Sequence, residues 1–179
     1  MYDWLRVVFF KFAAGGYIPA QWFEKELPEL SERRAKTGQI ELEVVSHCWK
    51  YAHFLVYQLS SLVLYPPKDM RLTMTVFFCP EDKKTVELLD FFSHQQVENV
   101  VWNWRPLPRQ SLFRRGIGRN LAALETRADW VWFTDCDLMF REGCLDDLNR
   151  LLQGRQEALF FPQEERTTDL LAQDNPMLQ

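Results

Sequence analysis

One apolar run that ends in two carboxylates constrains the fold of this chain more than any other feature. Residues 130–134 read Trp-Val-Trp-Phe-Thr, and Asp135, Cys136 and Asp137 follow them directly. The run is too short for a helix and is rich in β-branched and aromatic residues, which predicts a buried central strand. Residues two apart on a strand share a face, so the two carboxylates are expected to converge on one point.

Two carboxylates this close repel each other and resist transfer to an apolar environment unless water or a cation neutralises them. Mg²⁺ and Mn²⁺ are hard cations that proteins commonly hold through one or two carboxylates together with substrate phosphates. Asp135 and Asp137 therefore predict a divalent metal site beside a diphosphate. The ordinary alternative is a pair of solvated loop carboxylates or a helix cap. Position favours the metal site, because ligands of open α/β sheets bind at the carboxyl ends of the strands.

Composition restricts the classes of function that remain open. The chain has 179 residues, of which 47% are hydrophobic and 15% aromatic, as expected of one globular domain with a sizeable core. The net charge of −4 argues against a nucleic-acid-binding protein, because such proteins usually carry a basic excess. The sequence contains no uninterrupted apolar run of about 20 residues, so we predict no transmembrane helix.

The cysteines and the first residues bear on the cellular compartment. Four cysteines are present: Cys48, Cys79, Cys136 and Cys144. They show no Cys-X-X-Cys spacing, which favours reduced, buried thiols in a cytoplasmic protein over a zinc site or a disulfide framework. The apolar run at residues 7–10 is cut by Lys11 and lacks a basic start, so it makes a poor signal peptide.

The two ends of the chain lack strand alternation. Residues 1–39 combine aromatic side chains with a charged segment, and within them Glu29–Thr37 predicts a short solvated helix that ends at Gly38. We expect the aromatic side chains to pack on the sheet as an N-terminal extension, with peripheral contact to a membrane surface as the alternative. Residues 163–179 are polar and predict a loop or tail.

From residue 40 onward, strand and helix patterns alternate. Strands are predicted at residues 40–46, 72–78, 99–104, 129–134 and 158–161, and helices at residues 51–65, 83–97, 111–127 and 142–152. Gly116 and Gly118 are expected to interrupt the third helix. Such alternation is typical of βαβ units. The predicted fold is therefore α/β, a three-layer, open and mostly parallel sheet with helices on both faces, over residues 40–162.

Four short motifs lie where these strands end or the following helices begin. They are Val44-Val-Ser-His-Cys-Trp-Lys50, Phe78-Cys-Pro-Glu-Asp-Lys-Lys-Thr85, Gly116-Ile-Gly-Arg-Asn-Leu-Ala122 and Asp135-Cys-Asp137. Their order resembles that of the nucleotide-sugar-binding half of GT-A fold glycosyltransferases, particularly those of family 2. The resemblance covers roughly residues 40–162 and implies the GT-A fold, a nucleotide-sugar donor and a divalent metal.

The first two motifs resemble the parts of the family that contact the nucleoside. Ser46 matches the family's usual Thr or Ser, whereas Cys48 and Trp49 replace its usual Tyr-Asn pair. Glu81 and Asp82 stand where the family carries an acidic pair, one member of which contacts the nucleoside. The alternative is that these two acids cap the helix that begins after them.

The last two motifs resemble the parts of the family that hold the diphosphate. Arg119 is similar to the residue that faces the base or the phosphates, with a solvated helix face as the alternative. The resemblance implies that Asp137 ligates the metal directly, and that Asp135 holds the ribose or completes the metal shell. Mn²⁺ or Mg²⁺ at these carboxylates would neutralise the leaving diphosphate as a Lewis acid.

The function implied by the resemblance is transfer of a sugar from a nucleotide-diphosphate donor, with UDP as the expected nucleotide, to an unidentified glycan, lipid or protein acceptor. Family members usually continue into a segment that binds the acceptor and supplies the catalytic base. This sequence identifies no such base, although Glu164, Glu165 and Asp169 follow the last predicted strand. A non-catalytic or truncated nucleotide-sugar-binding module is therefore one alternative, and a haloacid-dehalogenase-like phosphatase that uses Asp135 and Asp137 is a second.

Overall fold

The computed structural model describes residues 2–19, 22, 28–33 and 35–161, apart from the side chains of Tyr2 and Leu30. The chain divides into two compact units. The first comprises Met1–Arg33 and Gln156–Gln179, and the second comprises Arg34–Arg155. In the first unit the described elements are helix α1 (Tyr2–Ala14) and a single 3₁₀ turn at Leu30–Glu32.

The second unit is built on one parallel sheet. Its strands are β1 (Ile40–Cys48), β2 (Met70–Phe78), β3 (Val100–Pro106) and β4 (Trp130–Phe133), in the order β3-β2-β1-β4. Its helices are α2 (Ala52–Leu64), α3 (Lys83–Ser93), α4 (Arg109–Leu112), α5 (Arg115–Glu125) and α6 (Cys144–Leu152). All three strand pairs are parallel, which confirms the predicted α/β fold.

Two apolar clusters lie on opposite faces of the sheet. Successive strand residues point to opposite faces, so Val44 joins one cluster and Val45 joins the other. The larger cluster packs the sheet against α2, α3 and α6, and the smaller packs it against Leu112 of α4 and Ala122 of α5. Helices therefore cover both faces, which makes β1 a strand buried on both sides.

The fifth predicted strand is wrong. Residues 158–161 form no strand, and their side chains are exposed, with Phe161 exposing 72% of its surface. The apolar run was read as a strand from its composition alone, but a strand also needs a neighbouring strand as its hydrogen-bonding partner. The described sheet consequently has four strands and ends at β4.

Two helix predictions also need correction. The helix predicted at Glu29–Thr37 is reduced to the 3₁₀ turn, and the described residues between that turn and β1 form no helix. The break predicted at Gly116 and Gly118 lies earlier, between Leu112 and Arg115, and both glycines are inside α5. The break follows the short α4, so the chain changes direction before the glycines and not at them.

No helix within the described parts of the chain combines the length and the apolar character that crossing a lipid bilayer would need.

Candidate functional site

The carboxyl edge of the sheet carries the loop that follows β4. The Thr134 amide still donates to the Val45 carbonyl at 3.0 Å, and the chain then leaves the sheet. Asp135 and Asp137 are exposed, whereas Cys136 between them is buried in the larger apolar cluster. The two carboxylates thus lie outside β4 itself, but the alternating burial still turns both towards solvent while the thiol enters the core.

A buried amide holds this loop to helix α2. Gln58 is fully buried, and its Nε2 donates to the carbonyl of Asp135 at 3.0 Å. Its Oε1 accepts from the Ser46 hydroxyl at 2.9 Å. Further along the loop, the amide of Phe140 donates to the Ser61 hydroxyl, also on α2, at 3.0 Å. Both ends of the loop are therefore fixed by α2, and Ser46 orients the glutamine that holds the first end.

Two arginines of α5 lie beside Asp135. Arg115 Nη1 is 2.7 Å from Asp135 Oδ1, and Arg119 Nη2 is 3.7 Å from the same oxygen. The arginines are four residues apart in the first turns of α5, so they share one face of that helix. The Arg119 guanidinium also lies over the Phe133 ring, 5.9 Å from its centroid. The edge therefore presents two guanidinium groups and two carboxylates to solvent.

The donor set available for a metal is small. Within the described residues, no group of three or more His, Cys, Asp or Glu side chains is arranged to hold an ion. Asp135 and Asp137 can supply two carboxylates, and the remaining ligands of a bound cation would be water and substrate oxygens. Such sparse protein ligation fits Mg²⁺ or Mn²⁺ in sites that also bind phosphates.

His47 lies under the arginine pair, near the end of β1. Its ring stacks on Phe77 with centroids 5.1 Å apart, and neither ring nitrogen has a hydrogen-bond partner within the described structure. Burial, followed by the positive charges of Arg119 and Arg115, lowers the pKa of His47 to about 4, against the opposing charge of Asp135. A ring that is neutral at pH 7 and stacked in the interior agrees with a structural role for His47.

A lowered pKa makes stability depend on pH. Between pH 6.5 and 4 the unfolded chain binds a proton at His47 that the folded chain does not, so we expect the free energy of unfolding to fall as the pH is lowered through that window. In His47→Gln the fall should be shallower, because the proton uptake of this ring in the unfolded chain is then removed. Urea titrations at several pH values measure the difference. A His47 ring resonance that titrates near pH 6.5 in the folded protein would contradict this expectation.

The acidic pair after β2 is divided between the interior and the surface. Asp82 is buried and caps α3: it accepts from the Thr85 hydroxyl at 2.7 Å and from the Thr85 amide at 3.5 Å. Asp82 also accepts from the Lys50 amide at 2.5 Å, which ties the β1–α2 connection to α3. Glu81 is exposed. The fold thus occupies the Asp82 carboxylate and leaves Glu81 accessible.

Two buried thiols meet behind the loop. Cys48 and Cys136 share a side-chain hydrogen bond, and Cys48 is also 3.3 Å from the Thr85 hydroxyl. The hydrogen bond that the Cys136 thiol donates to Cys48, followed by burial, raises the pKa of Cys136 well above the ordinary thiol range. The residue between the two aspartates is therefore a neutral packing group, as the buried-thiol interpretation expected.

The structure brings together only some of the residues that the sequence singled out. Arg119 and Asp135 approach each other, whereas Ser46 and Asp82 are buried and bonded within the protein. Sequence reasoning considered Arg115 only as part of a solvated helix face, although its spacing of four residues from Arg119 was a usable signal for the site. It missed Gln58, the polar residue inside the apolar stripe of α2, which indicates a buried hydrogen-bond partner.

Other candidate positions lie elsewhere. Glu164, Glu165 and Asp169, and the rest of the polar segment 163–179, are outside the described residues. A cavity of about 600 Å³ lies on the face of the sheet towards α5, and Glu43, Asn103 and Arg105 are among its lining residues. None of the predicted site residues lines it, so it is separate from the carboxyl-edge site.

Comparison with known proteins places the fold. No family model and no curated protein matches the chain. Among solved structures, the chain is similar to TarS 1–349 from S. aureus, with a TM-score of 0.50 and 16% identity over 63% of this chain. The TarS 1–349 complex with UDP-GlcNAc matches with a TM-score of 0.49 and 14% identity over 63% of this chain. This chain covers 32% and 31% of the respective TarS chains, about a third of their length. At this identity the similarity shows a shared α/β fold.

Proposed function

We propose that the second unit is the donor-binding half of a GT-A fold glycosyltransferase, similar to those of family 2, and that it binds a nucleotide-diphosphate sugar at the carboxyl edge of its sheet. UDP is the nucleotide we expect. The observation that carries the proposal is the meeting of Asp135 with Arg115 and Arg119 at this edge. The parallel sheet and its similarity to the TarS fold support the proposal, because open α/β sheets bind ligands at that edge.

The chemistry of the edge suits a diphosphate. Arg115 and Arg119 present planar guanidinium groups, which bind phosphate oxygens through paired hydrogen bonds. Asp137 and Asp135 are the proposed ligands for Mn²⁺ or Mg²⁺, which would supply Lewis-acid stabilisation of the leaving nucleoside diphosphate. In this proposal the guanidinium groups bind the negatively charged phosphates, and the carboxylates bind the positively charged metal ion.

An exchange of partners accompanies binding in this proposal. Arg115 and Arg119 already bind the Asp135 carboxylate in the structure. Phosphate oxygens would compete with Asp135 for the same guanidinium groups, and Asp135 would become available to the cation. Nucleotide and metal should therefore bind more tightly together than either binds alone.

The roles proposed for the residues near the nucleoside follow from the solvent exposure of their side chains. Glu81 is exposed, so it is the member of the acidic pair that we assign to a ribose hydroxyl or a uracil N–H. Ser46 and Asp82 act indirectly: Ser46 orients Gln58, and Asp82 fixes the Lys50 amide. The acceptor site and the catalytic base are assigned to parts of the enzyme beyond the second unit.

Calorimetric titration of UDP and of GDP into the purified chain, with and without Mn²⁺, tests this function. We expect one nucleotide to bind measurably only with metal, and Asp137→Ala to weaken that binding at least about tenfold, a cost of about 1.4 kcal/mol. Asp90→Ala is the matched control, because Asp90 is an exposed aspartate of α3 and should leave the affinity unchanged.

The same titration can reject the proposal. Absence of metal-linked binding for every nucleotide tested would do so, and so would equal losses in Asp137→Ala and Asp90→Ala. If binding is present, incubation of the UDP-sugar with the chain distinguishes an active transferase from a binding module, because only the former releases UDP. Hydrolysis of a generic phosphoester without nucleotide binding would indicate the phosphatase alternative.

A further inference from the structure

Helix α1 exposes an unusual amount of apolar surface. Within its 13 residues, six large apolar side chains are exposed: Trp4, Leu5, Val7, Phe9, Phe10 and Phe12. Single exposed apolar residues are normal on protein surfaces, but a contiguous patch marks a site of interaction with a partner or a membrane. The patch continues beyond the helix, since Tyr17 is exposed and its ring lies 5.9 Å from that of Phe12.

Most of the large apolar side chains of α1 lie on one face. At 3.6 residues per turn, five of them fall on one half of the helix circumference. These five, which we call the apolar face of α1, are Trp4, Leu5, Val8, Phe9 and Phe12. Val7 and Phe10 lie on the opposite half, among the charged residues. Trp4, Phe9 and Phe12 therefore lie on one side of the helix, and Phe10 lies on the other.

The charged residues of α1 are placed in relation to that face. Around the same helix circumference, Lys11 lies at one edge of the apolar face, beside Trp4. Arg6 lies near the other edge, beyond Phe9. Asp3 lies near the middle of the opposite half. A basic side chain at such an edge can keep its methylene groups on apolar material while its charge reaches a phosphate above it. The negative charge is turned away from the same surface.

This arrangement favours one occupant. A lipid surface has apolar acyl chains beneath a layer of anionic headgroups. An aromatic helix face with a basic residue at each edge complements both layers. Trp side chains are also enriched at that boundary. At about 1.5 Å per residue the helix is about 20 Å long, which suits lying along a membrane surface. We propose that α1 binds in the interface of anionic membranes, with its apolar face among the upper acyl carbons and Arg6 and Lys11 at lipid phosphates.

A matched pair of variants tests the proposal. Phe12 and Phe10 are exposed phenylalanines of the same helix, on opposite halves, so Phe12→Asp and Phe10→Asp make the same chemical change in different places. The measurement is co-sedimentation of the full chain with phosphatidylcholine vesicles, with and without phosphatidylglycerol. We expect wild type and Phe10→Asp to bind the anionic vesicles, and Phe12→Asp to bind at least about tenfold more weakly.

Charge reversal tests the lipid class. The double variant Arg6→Glu, Lys11→Glu should lose the preference for phosphatidylglycerol, because its border charges would then repel the anionic surface. Absence of vesicle binding by the wild-type chain would overturn the proposal, and so would equal losses in Phe10→Asp and Phe12→Asp. Concentration-dependent dimerisation that Phe12→Asp alone abolishes would also overturn it, because the occupant of the face would then be a second copy of the chain. Thermal unfolding followed by circular dichroism shows whether the variants compared are equally folded.

Discussion

Asp82→Ala is expected to lower the free energy of unfolding by about 2–4 kcal/mol, the largest loss we predict for any single substitution in this chain. The carboxylate caps α3 and accepts hydrogen bonds from the Thr85 hydroxyl and the Lys50 amide. A lost N-cap costs about 1 kcal/mol, and leaving a buried donor without a partner costs about 1–3 kcal/mol more. Lys50 also adopts a positive φ of 60°, so its turn depends on the hydrogen bond that holds it.

Glu81→Ala is the control for Asp82→Ala. Glu81 is the adjacent acid and is exposed, so its removal should change the free energy of unfolding by less than about 0.5 kcal/mol. The loss of unfolding free energy in Asp82→Asn should lie between those of Asp82→Ala and Glu81→Ala, because the amide oxygen of asparagine can still accept from the Lys50 amide. Chemical denaturation followed by circular dichroism gives all three values. If Asp82→Ala and Glu81→Ala destabilise equally, the hydrogen bonds at Asp82 do not support the fold as described.

Gly118→Ala is expected to destabilise the protein by about 1–3 kcal/mol, the usual cost of overpacking a core. A Cβ atom at this position would lie 2.2 Å from His47 Nε2 and 3.0 Å from Phe77 Cδ2. The histidine ring cannot easily move aside, since it is stacked on Phe77. The steric overlap therefore outweighs the gain of up to about 1 kcal/mol that alanine usually brings inside a helix.

Gly116→Ala provides the matched control in the same helix. A Cβ atom at Gly116 would meet nothing within 4 Å, so we expect that variant to be as stable as the wild type or slightly more stable. The double variant Gly118→Ala, His47→Ala should be more stable than the sum of its single effects, because the smaller residue makes room for the new methyl group. Additive effects in this double-mutant cycle would show that His47 does not limit the space at Gly118.

The strands were the most predictable part of the fold. β1 and β2 were located to within two residues at either end, from segments in which apolar residues alternate with Glu41 and Glu43 or with Thr73 and Thr75. The run at residues 158–161 is also apolar, but no strand of the described residues lies beside it. The composition of a segment indicates whether it suits a buried strand. Whether a neighbouring strand is present to form hydrogen bonds with it depends on the rest of the chain.

The candidate site was predictable in position but not in its contacts. The order of strands and motifs placed Asp135 and Arg119 at the same edge, and the structure brings them within 3.7 Å. The bonds of Ser46 to Gln58, and of Asp82 to the Lys50 amide, depend on how two helices dock against the sheet. A pattern along the chain identifies a polar residue, but the tertiary structure decides whether its partner is a ligand or the protein itself.

The attachment of the Asp135–Phe140 loop to α2 has a consequence for protein engineering. Gln58 and Ser61 hold the two ends of the loop from one helix, and Ser46 on β1 fixes Gln58 in turn. A transplant of the loop alone into another α/β scaffold would lose these anchors, and its carboxylates would take new directions. The smallest portable cassette is therefore the loop together with α2 and the end of β1.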